Sequence, residues 1–97
     1  MYNIVFREES LLELQDAYDW YESKQLGLGD DFISTLNHYI KLIETNPKSY
    51  QVFYKNKRVV FLKKFPYQVI YSIHQKDVVI LSVFHSKRNP KIWKRKA

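Results

Sequence analysis

The apolar residues of this chain change period once, at Asn46-Pro47, and that break separates a helical first half from a β-rich second half. Upstream, Leu11, Leu14, Tyr18 and Tyr21 recur at helical spacing and mark one face of a first helix. Glu8-Glu9-Ser10 open it, the acids lying well at the positive end of the helix dipole. Gly27-Leu28-Gly29 is read as its end, because glycine readily takes the left-handed cap conformation. Asp30 or Asp31 then begins a second helix whose inner face is Phe32, Leu36, Ile40 and Ile43, and Asn46-Pro47 stops it. Downstream, the stretches 50–54, 58–65, 67–74 and 78–85 are rich in Val, Ile, Tyr and Phe and read as strands. Their short connections predict an antiparallel meander, and Pro66 belongs at a strand end because it has no N–H for the ladder. The run 2–6 is a further strand ahead of the helices. The expected fold is therefore α+β, with a helical hairpin packed on a small, mostly antiparallel sheet in the order β-α-α-β-β-β-β. One domain, residues 1–97, accounts for the whole length.

Charge follows the same division. Residues 1–46 hold 3 basic and 9 acidic side chains, whereas residues 47–97 hold 13 basic side chains and one acid, Asp77. The net charge of +6 thus conceals an acidic helical half set against a strongly basic sheet half. Such a field suits a polyanion or an acidic partner on the basic side. Composition removes whole classes of chemistry. With no cysteine there is no disulfide, thiolate zinc site, iron–sulfur cluster or cysteine nucleophile. With two glycines, both in Gly27-Leu28-Gly29, there is neither a dinucleotide fingerprint nor a phosphate loop. No cofactor and no metal are expected. The first residues carry no basic and apolar leader pattern, and the longest apolar runs are four residues, so a cytoplasmic protein without a membrane span is expected.

Chemistry must then come from ordinary side chains. The acids of the first helix (Glu9, Glu13, Asp16, Asp19 and Glu22) read as a solvated face. His38 and His74 have no partner at metal-ligand spacing and read as surface residues. His85 differs, because it lies where the last strand exits into a basic tail and can exchange protons near neutral pH. The densest constellation is Arg58, Lys63, Lys64, Lys87, Arg88, Lys91, Lys94 and Arg95, interleaved with Tyr54, Tyr67, Tyr71 and Trp93. Cations neutralise phosphates and aromatic faces stack unpaired bases, so this half has the makings of a nucleic-acid surface. Metal-free RNA cleavage needs a base, an acid and cations on the strained phosphate. Arg58 and Arg88 are the candidate cations for it, and His85 and Tyr67 the candidate proton carriers.

The ordered set Ala17-Tyr-Asp-Trp20-Tyr21-Glu22, Gly27-Leu-Gly29, Phe32, Asn46-Pro47, Tyr50, Arg58, Phe65-Pro66-Tyr67-Gln-Val-Ile-Tyr71 and Val83-Phe-His85-Ser-Lys-Arg88-Asn-Pro90 resembles the RelE/ParE toxin family, over nearly the whole chain. The resemblance implies a small toxin of a type II toxin–antitoxin pair, with a helical hairpin on an antiparallel sheet. It implies a co-encoded antitoxin as partner, bound in a hetero-oligomer, and a target that is DNA gyrase in the ParE-like branch or the ribosome with its mRNA in the RelE-like branch. Arg88 matches the C-terminal arginine of the RNA-cleaving branch. Gln68 stands where that branch has an arginine, and Val59 and Phe61 stand near its lysines. The resemblance is therefore closer to the ParE-like branch. On that reading Arg58, Lys63, Lys64, Lys87, Arg88, Lys91, Trp93 and Lys94 are expected to meet the antitoxin or the target. A nucleic-acid-binding module without toxicity is the remaining alternative.

Overall fold

The computed structural model describes residues 2–87. The elements follow in the order β1 (Asn3–Phe6), α1 (Glu8–Lys24), α2 (Leu28–Thr45), a 3-10 turn (Pro47–Ser49), β2 (Gln51–Tyr54), β3 (Lys57–Phe61), β4 (Tyr67–His74) and β5 (Asp77–His85). The sheet order is β1-β5-β4-β3-β2. The last four strands form the expected antiparallel meander. β1 instead pairs in parallel with β5, from Asn3 opposite Asp77 to Phe6 opposite Ile80. A parallel pair needs a crossover, and the helical hairpin supplies it. No helix among the described residues is long and apolar enough to cross a membrane.

The helices cover one face of the sheet. Phe32, Leu36 and Ile43 of α2 are buried, with Ile40 partly so, as the spacing required. The rings of Tyr21, Phe32, Phe65 and Tyr67 meet at centroid distances of 4.9–6.0 Å and join both helices to the sheet. In α1 the inner face differs from the expected one. Ser10, Ala17 and Tyr21 are buried, whereas Leu11 is 49% exposed. The reason is polar. Ser10 donates through its hydroxyl to the Arg7 carbonyl at 2.6 Å, and Glu13 turns inward to the sheet, so small and polar residues take the seat that hydropathy gives to leucine. The Arg7–Glu9 ion pair at 3.2 Å is about half exposed and adds little.

The hairpin turn is also tighter than the sequence suggests. α2 begins at Leu28, not at Asp30 or Asp31, and its cap residue Gly27 has φ 89° and no side chain with which to cap. Glu22, one turn back on α1, takes that role: its carboxylate accepts the Gly27 N–H at 2.9 Å and the Gly29 N–H at 2.9 Å. This charge sits where the helix dipole favours an anion. Gly29 is therefore not a terminator but a contact inside α2, since a Cβ there would lie 2.8 Å from the Tyr18 carbonyl oxygen.

Two departures shape the sheet. β3 ends at Phe61 rather than Phe65, because Leu62 N–H donates to the Tyr67 carbonyl (2.9 Å) and Tyr67 N–H to the Phe65 carbonyl (2.7 Å), closing a loop that buries Leu62 and Phe65. In β5 the register slips between Ile70 opposite Ser82 and Tyr71 opposite Ile80, which leaves Leu81 as the extra residue of a bulge.

Substituting Gly29→Ala should destabilise the fold by about 1–3 kcal/mol through the clash with the α1 backbone. Replacing Glu22→Ala should cost about 1–2 kcal/mol by uncapping α2. Leu11→Ala should cost under about 0.5 kcal/mol. Denaturant unfolding of the three variants orders them, and a Leu11 variant as damaged as the Gly29 variant would contradict the helix orientation.

Candidate functional site

β4 begins and β5 ends at the same end of the sheet, which brings Tyr67 directly opposite His85 in the ladder. Their rings meet edge-on at 5.3 Å. The Lys87 backbone N–H donates to His85 Nδ1 at 3.1 Å, so the neutral ring carries its proton on Nε2. The bulge matters here. It shifts the alternation of β5 so that Ser82 and Val83 both meet α1, and His85 is left on the helix side with Tyr67. Glu13 secures this segment by accepting from Ser82 Oγ at 2.9 Å and from the Val83 N–H at 3.1 Å.

Between α1 and these strand ends lies a cleft of about 490 Å³. Its helix wall is Glu13, Asp16, Ala17 and Trp20, and its sheet wall is Tyr67, Val83, Phe84, His85 and Lys87. One wall is anionic and the other carries a cation and an imidazole. Asp16 makes no hydrogen bond or ion pair among the described residues, and Trp20 is 55% exposed with Lys24 Nζ lying 5.0 Å from its ring centroid. Of the five acids expected on a solvated face, Glu9 and Asp19 are exposed as expected, while Glu13 bonds the sheet, Glu22 caps α2 and Asp16 lines the cleft. The sequence signal for Glu13 is its place on the same helix face as Ser10, Ala17 and Tyr21, a stripe that apolar counting passes over.

The other candidates lie elsewhere. Arg58 of β3 faces Tyr71, four residues along β4 from Tyr67, roughly 13 Å away at strand spacing. Its Nη1 donates to the carbonyls of Tyr50 at 2.6 Å and Lys48 at 3.1 Å, while the Tyr71 hydroxyl donates to the Pro47 carbonyl at 2.5 Å. Arg58 and Tyr71 together hold the segment that follows α2. Lys63 gives its backbone N–H to the Tyr39 hydroxyl at 3.3 Å, and Lys64 Nζ pairs with Asp31 at 2.6 Å on α2, both side chains exposed. Lys87 is at the cleft rim. Arg88, Lys91, Trp93 and Lys94 lie outside the described residues. The structure therefore groups Tyr67, His85 and Lys87 at the cleft, sets Arg58 apart along the ladder, and places Lys63 and Lys64 in the loop that leads into Tyr67, outside the cleft lining.

The opposite face of the sheet carries a second, smaller apolar cluster. Val59, Ile70 and Phe84 are buried there, with Phe53, Tyr54 and Leu81 packed around them. Gln68 lies between Phe61 and Phe84 in the ladder and is 7% exposed, while Phe61 is 57% exposed.

Burial pushes the Tyr71 hydroxyl up to about 12, against a smaller opposing pull from Arg58. A group whose folded pKa is raised adds stability below its unfolded value near 10 and loses it as pH climbs through the folded one. Stability should therefore fall between about pH 10 and pH 12, and Tyr71→Phe should flatten part of that fall while lowering stability at pH 7 by about 1–3 kcal/mol, the cost of leaving the Pro47 carbonyl unpaired. Urea unfolding at both pH values checks it.

The chain matches the family model of the ParE toxin of type II toxin–antitoxin systems, parDE, over residues 4–90. Its fold is similar to that of the chromosomal ParDE toxin–antitoxin system from P. aeruginosa, with a TM-score of 0.80 at 13% identity, covering 90% of this chain and 98% of that one. It is also similar to the isolated E. coli RelE toxin (TM-score 0.68, 19% identity, 100% of both chains). The intact E. coli RelBE toxin–antitoxin complex gives a TM-score of 0.69 at 19% identity, over 91% of this chain and 100% of that one. No curated protein is a sequence match. The structural likenesses, at these identities, establish the fold. The family match, extending over most of the chain and agreeing with the helical hairpin and five-stranded sheet, places this protein in the ParE toxin family of type II toxin–antitoxin systems.

Proposed function

We propose that this chain is a growth-arresting toxin, a single domain acting in the cytoplasm, that disables an essential protein target, DNA gyrase first among them, and is neutralised by a co-encoded antitoxin in a hetero-oligomer. The observation that carries the choice of a protein target over RNA is the apolar character of the sheet face away from the helices. Stabilising a phosphate in flight needs cations aimed at it from a fixed frame. At the places where the RNA-cleaving branch has its arginine and lysines, this chain has buried Gln68, buried Val59 and exposed Phe61, set around an apolar cluster. Arg58 is engaged by two backbone carbonyls and Lys64 by Asp31, which leaves them poorly placed to serve a scissile phosphate. An exposed aromatic on an apolar sheet face is instead suited to a protein surface.

The antitoxin assignment draws on structural neighbours solved as toxin–antitoxin complexes, such as E. coli RelBE. The basic half, with Arg58, Lys63, Lys64, Lys87, Arg88, Lys91, Trp93 and Lys94, favours an acidic, amphipathic segment that orders on binding. Charge reversal at Lys87 and Arg88 should then weaken antitoxin binding more than tenfold at low salt. An unchanged affinity would remove the tail and its root from that contact.

Expression from a tight promoter, with growth, plasmid supercoiling and ribosome-bound transcripts followed together, tests the target. Growth arrest with relaxed plasmid and intact transcripts is the expected result. Codon-phased cuts in transcripts would replace it with the ribonuclease reading, and normal growth would leave only a nucleic-acid-binding module.

A further inference from the structure

The cleft between α1 and the end of β5 has the size and the chemistry of a small-molecule site. At about 490 Å³ it falls in the range that holds a drug-sized or nucleotide-sized ligand. Its polar groups are of two kinds and stand on opposite walls. On the helix wall, the Asp16 carboxylate is an acceptor without a partner among the described residues. On the sheet wall, the His85 Nε2–H and the Lys87 ammonium are donors, the former fixed by the Lys87 N–H on Nδ1. Trp20 and Tyr67 supply aromatic surface between them. A ligand that satisfies all of these is flat in the middle, carries N–H donors at one end and is anionic at the other.

We propose that this cleft binds a guanine nucleotide. The N1–H and exocyclic amine of guanine form the adjacent donor pair that one carboxylate accepts in bidentate fashion, here Asp16. Adenine presents no such pair. The base stacks on Trp20, a contact that any base can make, so stacking gives affinity and Asp16 gives the choice of base. The phosphate faces Lys87 and His85, and the basic field of the chain draws the anion in. Glu13 is not a ligand in this arrangement. Its carboxylate is held by Ser82 and Val83 and keeps the sheet wall in place. The cleft lies on the helix side of the sheet, whereas Val59, Ile70 and Phe61 lie on the far face, and Lys87 is the residue that the cleft shares with the basic surface assigned to the antitoxin.

Equilibrium titration of the full-length chain with GMP, followed by calorimetry and by tryptophan fluorescence, is the test, with AMP, IMP and guanosine as comparison probes. Saturable one-to-one binding of GMP is expected, at least tenfold tighter than AMP, with IMP in between because it lacks the exocyclic amine. Asp16→Asn should bring GMP and AMP within about twofold of each other, and Lys87→Ala should weaken GMP while leaving guanosine unchanged. Asp16 and Lys87 are exposed, so thermal melting of both variants should match the parent, which separates a binding effect from a folding one. A short oligoadenylate with a single central guanosine distinguishes the source. If it binds tighter than GMP and loses that advantage with Asp16→Asn, the nucleotide belongs to an RNA strand, and otherwise it is free in solution. Equal affinity for GMP and AMP, an unaltered preference in the Asp16 variant, or no saturable GMP binding would each overturn the proposal. Growth arrest does not enter this readout, so its outcome and that of the toxin assignment are read separately.

Discussion

Glu13 carries a carboxylate from α1 to the Ser82 hydroxyl and the Val83 amide, and the geometry of the sheet beside the cleft rests on these bonds. A bulge leaves a backbone N–H without its ladder partner, and a buried unpaired amide costs more than most single contacts gain. Glu13 binds the two residues that follow the extra residue Leu81, Ser82 through its hydroxyl and Val83 through its amide, and so ties the bulged segment to α1. The bulge in turn places His85 on the helix side beside Tyr67, and opens the cleft against Asp16 and Trp20. One acid thus joins secondary structure, layer packing and site.

A second acid performs the parallel service at the other end of α1. Glu22 replaces the cap that Gly27 cannot provide, and the close approach of Gly29 to Tyr18 locks the two helices together at the turn. The hairpin lies in the long connection between β1 and the rest of the sheet, with its aromatic face of Tyr21 and Phe32 pressed on Phe65 and Tyr67. The opposite sheet face carries the second apolar cluster, and no helix among the described residues lies over it.

The charge division of the sequence acquires a physical meaning from this arrangement. The acids of α1 and α2 are partly consumed in holding the fold, through Glu13, Glu22 and Asp31, and only some of them remain to shape the surface. Several cations are likewise committed. Arg58 braces the chain after α2 and Lys64 pairs with the helix layer. Among the described residues, exposed cations such as Lys63 and Lys87 enter no ion pair and remain at the surface.

Much was legible without coordinates. The change of period at Asn46-Pro47, the α2 face of Phe32, Leu36, Ile40 and Ile43, and the four-strand meander follow from local spacing and turn chemistry, and the ordered motifs carried the family resemblance. Spacing failed where a polar contact outweighed hydropathy. Leu11 is outside and Ser10 inside because Glu13 and Ser10 have hydrogen-bond partners that no count of apolar residues contains. The sequence by itself thus determined the elements, the order in which they come and the family. Only the tertiary structure decided which acids are structural, that Arg58 stands apart from Tyr67 and His85, and that β1 lies parallel beside β5, because each of these is fixed by a pairing between residues far apart in the chain.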